Sequence, residues 1–251
     1  MNVRCCFHEG GNKTCKQEEI AILLFRSKLN IGGLNLKSLH ILAGGLFVTL
    51  LAGCSGENAA QNVFDEWEEA VAAEQDAEEV QQPLSEQETQ ETELYNEMLE
   101  ISEVEDIAPL SEEAVSSAEE RRSLMDQERE IIQSSYEQFQ EAEDAVAELD
   151  EELQSSAESV QNAMDERFSA YETLYEQYIA SIDEDQRLYQ MVADEEVEVE
   201  ELQAQHEAVN ASYDEVENAN ETFNEATETF NQEKLSFYEE AELNVAVSEE
   251  E

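Results

Sequence analysis

The chain of 251 residues carries 64 acids against 12 bases, a formal charge of −52. So few cations exclude binding to nucleic-acid phosphates and electrostatic adhesion to anionic lipid headgroups. Only three of the acids (Glu9, Glu18, Glu19) and six of the bases precede Cys54, which leaves 61 acids and six bases behind it. A basic, apolar leader thus stands before a very acidic body, and two such compositions do not belong to one domain. Acidity at this density keeps a protein hydrated where salt screens its self-repulsion, which points to a saline or alkaline environment outside the cell.

In chain order, Cys5, Cys6, His8 and Cys15 match no zinc spacing, and no metal or other cofactor is expected. From Leu39 to Ala52 the sequence is apolar or small, with only His40 and Thr49 polar. As a helix this run spans roughly 20 Å, short of the ~30 Å hydrocarbon core. Lys37 in front and small residues behind give the basic, apolar, small order of a signal peptide over 1–53. Its last residues with the first of the body, Leu51, Ala52, Gly53 and Cys54, match a bacterial lipobox. Cleavage is then expected between Gly53 and Cys54. The Cys54 thiol would carry a diacylglycerol and hold the chain on the outer face of the cytoplasmic membrane. With the leader removed, Cys54 has no partner for a disulfide. The leader is long for its type, and 1–35 reads as an over-called start: Gly32-Gly33 would be a translated ribosome-binding sequence, with Leu36 the true initiator.

Residues 54–62 read as a lipidated tether and 63–108 as short helices with a polar linker. Val63, Phe64, Trp67 and Val71 mark one helix, and Leu94, Tyr95, Met98 and Ile101 another. Glu74–Glu93, with Pro83, reads as the linker. Pro109 and Ser111 suit a helix start, Ser111 as N-cap. From there to residue 244 three stretches keep heptad spacing. Ala118, Met125, Ile132, Phe139, Val146 and Leu153 mark the first, with Ala142 and Leu149 between. Met164, Phe168, Tyr171, Tyr175, Tyr178, Ile182, Tyr189 and Val192 mark the second, with only Asp185 out of type. Leu202, His206, Val209, Tyr213, Val216, Asn220, Phe223, Thr227, Phe230, Lys234, Phe237 and Ala241 mark the third. Reversals near Glu151–Ser156 and Ala193–Glu196 would fold these stretches up-down-up. The expected class is all-α: an antiparallel bundle of three long helices, coiled-coil-like and spectrin-like, over 109–244, preceded by shorter helices and followed by an acidic tail at 245–251.

Chemistry finds little to work with. His206 is the one histidine of the body, and it lies on a core stripe. No GxSxG elbow and no Gly-rich phosphate loop occurs after Cys54. Carboxylates such as Asp183, Glu184 and Asp185 read as a solvated face, since a glycosidase needs two of them across a cleft. The aromatic stripe reads as bundle core rather than a stacking platform. No catalytic residue is expected, and the chain reads as a non-enzyme. Arg121, Arg122 and Arg129 are the candidates for contact with an anionic wall polymer. The plainer reading pairs them with neighbouring acids, their stems lying along the core edge.

A lipobox followed by "ETELYNEMLEI" (Glu91–Ile101), "DERFSAYETLYEQYIASIDEDQRLYQMV" (Asp165–Val192) and "NASYDEVENANETFNEATETFNQEKLSFY" (Asn210–Tyr238) resembles the YkyA-like cell-wall-binding lipoproteins of Bacillus-type, Gram-positive bacteria. The likeness runs from Cys54 to about Asn244. It implies a long-helix, three-helix bundle, a lipid anchor (diacylglycerol and palmitate) on Cys54, and contact with the cell wall. Apart from the resemblance, an alternative is an accessory lipoprotein whose bundle docks another envelope protein, with the first short helix, around Trp67, as the contact element. It carries over no catalytic residue. Relatives mix Lys with Glu, whereas Lys234 is the sole lysine after Cys54. Binding to an anionic wall polymer would then need salt or divalent cations.

Overall fold

The structure, a computed structural model, describes residues 55–101 and 103–243. The leader, the lipobox with Cys54 and the tail 245–251 lie outside the described residues. The described chain is helical, without a strand: α1 (Ser55–Ala73), a 3-10 turn (Glu74–Ala77), α2 (Glu78–Glu100), α3 (Val104–Gln140), a short α4 (Glu143–Ala147), α5 (Glu151–Val192) and α6 (Val199–Glu240). None of these helices is long and apolar enough to cross a membrane.

The expected long helices are present as α3, α5 and α6, the last two each about 60 Å long at 42 residues. The shorter helices do not stand apart from them. The four-residue 3-10 turn leaves the register of α1 intact into α2, and the inward residues step by three and four throughout. They are Ala60, Val63, Trp67, Ala70, Glu74, Ala77, Gln81, Leu84, Glu88, Glu91, Tyr95 and Met98, buried or half-buried. The pair thus makes a fourth side running the length of the bundle. Trp67 meets Phe237 near the end of α6, and Tyr95 meets His206 near its start, so this side is antiparallel to α6. At one end Trp67 stacks on Phe139 at 5.1 Å and is fully buried. At the other end Leu188, Val197, Leu202 and Val209 close the core.

Several boundaries differ from expectation. Glu74–Glu93 is helical and packed, with Ala77, Val80, Leu84 and Glu91 buried. Its core positions include acids, so it reads as polar while acting as core. The tether residues after Cys54 open α1, and Ala59 and Ala60 are buried. Helix α3 starts at Val104 because Ile107 is drawn into the core. Pro109 therefore lies in its second turn, removing one hydrogen bond without ending the helix. Ser111 is not the N-cap; its hydroxyl donates to the Tyr189 carbonyl at 2.8 Å.

The first reversal lies at residues 141–150, earlier than expected, where α4 keeps Ala142, Val146 and Leu149 buried. The heptad series passes through the break in step, so periodicity conceals it. Asp150 then caps α5, accepting from the Leu153 amide at 3.0 Å. The second reversal falls at 193–198, as spaced, and ends in a capping box between Glu198 and Glu201. After α6, Glu242 takes a left-handed φ of 55°. The Leu243 amide donates to the Tyr238 carbonyl at 3.0 Å and that of Glu242 to Glu239 at 3.1 Å, a Schellman close without its usual glycine.

Candidate functional site

Polar residues recur at every seventh core position on three of the four sides: Glu74, Gln81 and Glu88; Arg121, Glu128 and Ser135; Tyr213, Asn220, Thr227 and Lys234. Antiparallel packing brings them level in layers roughly 10 Å apart, one heptad each. This buried polar seam is the distinctive feature of the molecule. Three of the six bases after Cys54 are spent in it, each meeting an acid from the α1–α2 side.

Nearest the Trp67 end, Lys234 Nζ donates to Glu68 at 2.8 Å, and the Tyr238 hydroxyl donates to the same oxygen. One step along, Arg167 grips Glu74 with two bonds of 2.8 and 2.6 Å while its Nε donates to Thr227. Ser135 completes that layer, donating to Glu74 and to the Ala70 carbonyl. Aromatic faces line the cations: Phe223 and Phe230 about Arg167, and Phe230 and Tyr238 about Lys234. Buried charge of this kind is tolerated because every ionised group has partners.

The next layer has no base. Glu128 is 1% exposed; one oxygen accepts from the Tyr171 hydroxyl at 3.2 Å and the other has no partner. Register sets Gln81 and Asn220 at this level, and each also has a buried polar atom without a partner. Burial pushes the Glu128 carboxyl up to about 7, against the lowering effect of Tyr171.

Beyond it, three carboxyls share one guanidinium. Arg121 is 2% exposed and lies 2.6 Å from Asp185 and 3.4 Å from Glu91. Tyr213 accepts from Arg121 at 3.3 Å and donates to Asp185 at 2.7 Å. Glu91 also accepts from Tyr189 at 3.1 Å and from Ser117, while the Tyr178 hydroxyl donates to Glu88. Burial raises Glu88, Glu91 and Asp185 alike, Glu91 to about 7, and Arg121 only partly offsets it. Burial also raises Tyr178, Tyr189 and Tyr213, so their hydroxyls stay neutral donors. At the far end His206 Nε2 lies 2.7 Å from the Tyr95 hydroxyl, and burial lowers this imidazole to about 4. Among the described residues no carboxylate bonds to His206, so the pair is a packed contact.

The sequence profile of the YkyA family, described as "Putative cell-wall binding lipoprotein", matches residues 58–240. The chain belongs to the YkyA family. A conserved protein of unknown function from Staphylococcus aureus has a similar solved structure, with a TM-score of 0.67 at 10% identity, covering 74% of this chain and 97% of that one. Likeness at such identity shows the fold alone. No curated protein matches the chain.

Against this YkyA fold the arginines fall into two groups. Arg121 is enclosed, as above. Arg122 and Arg129 lie on the α3–α5 seam, where Arg122 pairs with Asp183 at 2.5 Å and Arg129 binds Glu172 at 2.8 and 2.5 Å while lying over Tyr175. The pairing partners come from another helix, not from flanking acids. An anionic polymer would meet these guanidiniums with Asp183 and Glu172 already beside them. Arg187 is exposed and has no ion pair among the described residues. The aromatic stripe is core, with Tyr171, Tyr178, Phe223, Phe230 and Phe237 buried. Sequence reading missed Glu74, Glu88, Glu91, Glu128 and Arg167. The available signal was their spacing: each stands a whole number of heptads from another inward residue of its own helix.

Proposed function

We propose that this YkyA-family chain is a non-catalytic lipoprotein, anchored through a diacylglycerol on Cys54 and standing on the outer face of the cytoplasmic membrane, where it binds the cell wall or braces the envelope. The observation that carries this reading is the family match, which begins at Asn58, four residues after the cysteine of the lipobox. The fold supports a post rather than a catalyst. Helix α1 opens directly after Cys54 and runs up one side of a bundle about 60 Å long, and its polar core is built from ion pairs between helices.

The alternative, docking of another envelope protein through the first helix, would need an exposed apolar face there. Val63, Phe64 and Trp67 are all buried against the long helices. That element is not free to serve. Wall contact then falls to the outer surface, whose acidity calls for salt or a divalent cation as intermediary.

Two measurements test the proposal. Full-length protein expressed in a Gram-positive host should partition with membranes and carry lipid on Cys54 by mass spectrometry; Cys54→Ser should release it. The lipidated protein in detergent should co-sediment with purified walls as NaCl or CaCl2 is raised. No lipid on Cys54 overturns the anchor, and no sedimentation at any salt or calcium level overturns wall binding.

A further inference from the structure

The layer around Arg121 holds more acid than its bases neutralise. Glu88 and Glu91 reach in from α2 and Asp185 from α5, against the single guanidinium of Arg121 from α3. Among the described residues no other base pairs with them: Arg122, Arg129, Arg167 and Lys234 are engaged elsewhere, and Arg187 is exposed. The other groups facing this layer are the neutral Tyr178 and Tyr189 of α5, Tyr213 of α6, Tyr95 and the amide of Gln87 on α2 and Ser117 of α3, with the Glu184 carboxylate of α5 adding negative charge beside Asp185. No group of side chains among the described residues has the makings of a metal site. Two enclosed carboxylates, Glu91 and Asp185, and the half-buried Glu88 with one cation would leave a net charge of −2 at this layer, which proteins avoid by protonation.

We propose that α2 is a proton-operated latch, held on the long helices while Glu88 and Glu91 keep protons, and released from them as both ionise. The α1 half of the same side behaves differently. Its acids Glu68 and Glu74 each have a base of their own, Lys234 and Arg167. Release therefore begins at the α2 end, next to the connection to α3, and stops short of the Trp67 layer. The direction follows from linkage: burial holds these carboxyls above their ordinary value, so docking is strongest in acid and weakens as pH rises through about 7. Opening α2 exposes the inward face of α3 and α5 around Arg121, Tyr178 and Tyr189. That cation and those rings are otherwise closed to solvent.

Amide hydrogen exchange of the full-length protein in detergent, corrected for the intrinsic rate at each pH, reads this directly. Between pH 5.5 and 8.5 the protection of the α2 amides should fall at least tenfold further than that of α1 and of the middle of α5 and α6, whose own decline is the global loss that Glu128 brings. In E88Q/E91Q the extra fall of α2 should vanish, leaving α2 to decline only in step with α5 and α6. The latch is refuted if α2 protection in the native sequence is constant over that range. It is equally refuted if α2 falls only in step with α5 and α6, which would be global unfolding, or if the double variant keeps the full pH dependence. The experiment concerns the bundle alone, so its failure leaves the anchor and the wall-binding reading untouched.

Discussion

Replacing Arg167 with methionine tests whether the charged layers hold the bundle together. In the native layer both oxygens of Glu74 are taken by Arg167, at 2.8 and 2.6 Å, and the pair is 0% and 4% exposed. Arg167→Met would leave the Glu74 carboxylate enclosed with only the Ser135 hydroxyl at 3.1 Å. Stranding one member of a buried ion pair costs about 3–5 kcal/mol, a large part of the ~5–15 kcal/mol that keeps a domain folded. The double change Glu74→Leu with Arg167→Met should cost about 1 kcal/mol or less, because an apolar pair of similar volume replaces both charges. The hydroxyls it leaves behind keep other partners, Ser135 to the Ala70 carbonyl and Thr227 to the Phe223 carbonyl, each at 2.8 Å. Urea unfolding followed by far-ultraviolet circular dichroism supplies the free energies of the native protein, the single variant and the double variant. A single variant within about 1 kcal/mol of native, or a double variant worse than the single, refutes the account of the layer.

Glu128 should make the bundle less stable as pH rises. Its folded-state value of about 7 exceeds its ordinary 4.5, so its contribution is complete below pH 4.5 and is lost as pH climbs to 7. The loss amounts to roughly 3 kcal/mol, and Glu128→Gln should remove that part of the slope in urea midpoints measured across pH. His206 works in the opposite sense. Lowered to about 4, it withdraws stability as pH falls from 6.5, and its imidazole carbon proton should titrate in NMR near 4 rather than 6.5. At the end of α6, Glu242→Gly should raise stability by about 1 kcal/mol in thermal melts, because glycine adopts the left-handed φ without strain. With a formal charge of −52, the protein should lose helicity by circular dichroism on dialysis from molar to millimolar salt; an unchanged spectrum contradicts that.

The helical class, the inward faces of α3, α5 and α6, and the second reversal were all readable from spacing. Apolar residues at steps of three and four commit a helix to one buried stripe whatever packs on it. Lys234, charged and on a stripe, fell at the right position; Asp185, marked out of type on its stripe and also read with Asp183 and Glu184 as a solvated face, is instead buried at 2.6 Å from Arg121. The fourth side was not readable in the same way. Between Glu74 and Glu91 the inward residues include three glutamates and a glutamine, and a single strand of sequence marks these as solvent-facing.

Only the tertiary structure could decide that those acids are core. Each becomes tolerable inside through a base, a hydroxyl or a proton supplied from elsewhere in the chain: Arg167 for Glu74, 93 residues away, and Arg121, Tyr178 and Tyr189 for Glu88 and Glu91. Apolar burial is a property of one residue and shows in its periodicity. Burial of a charge is a property of a pair, and the pair exists only once the helices have met.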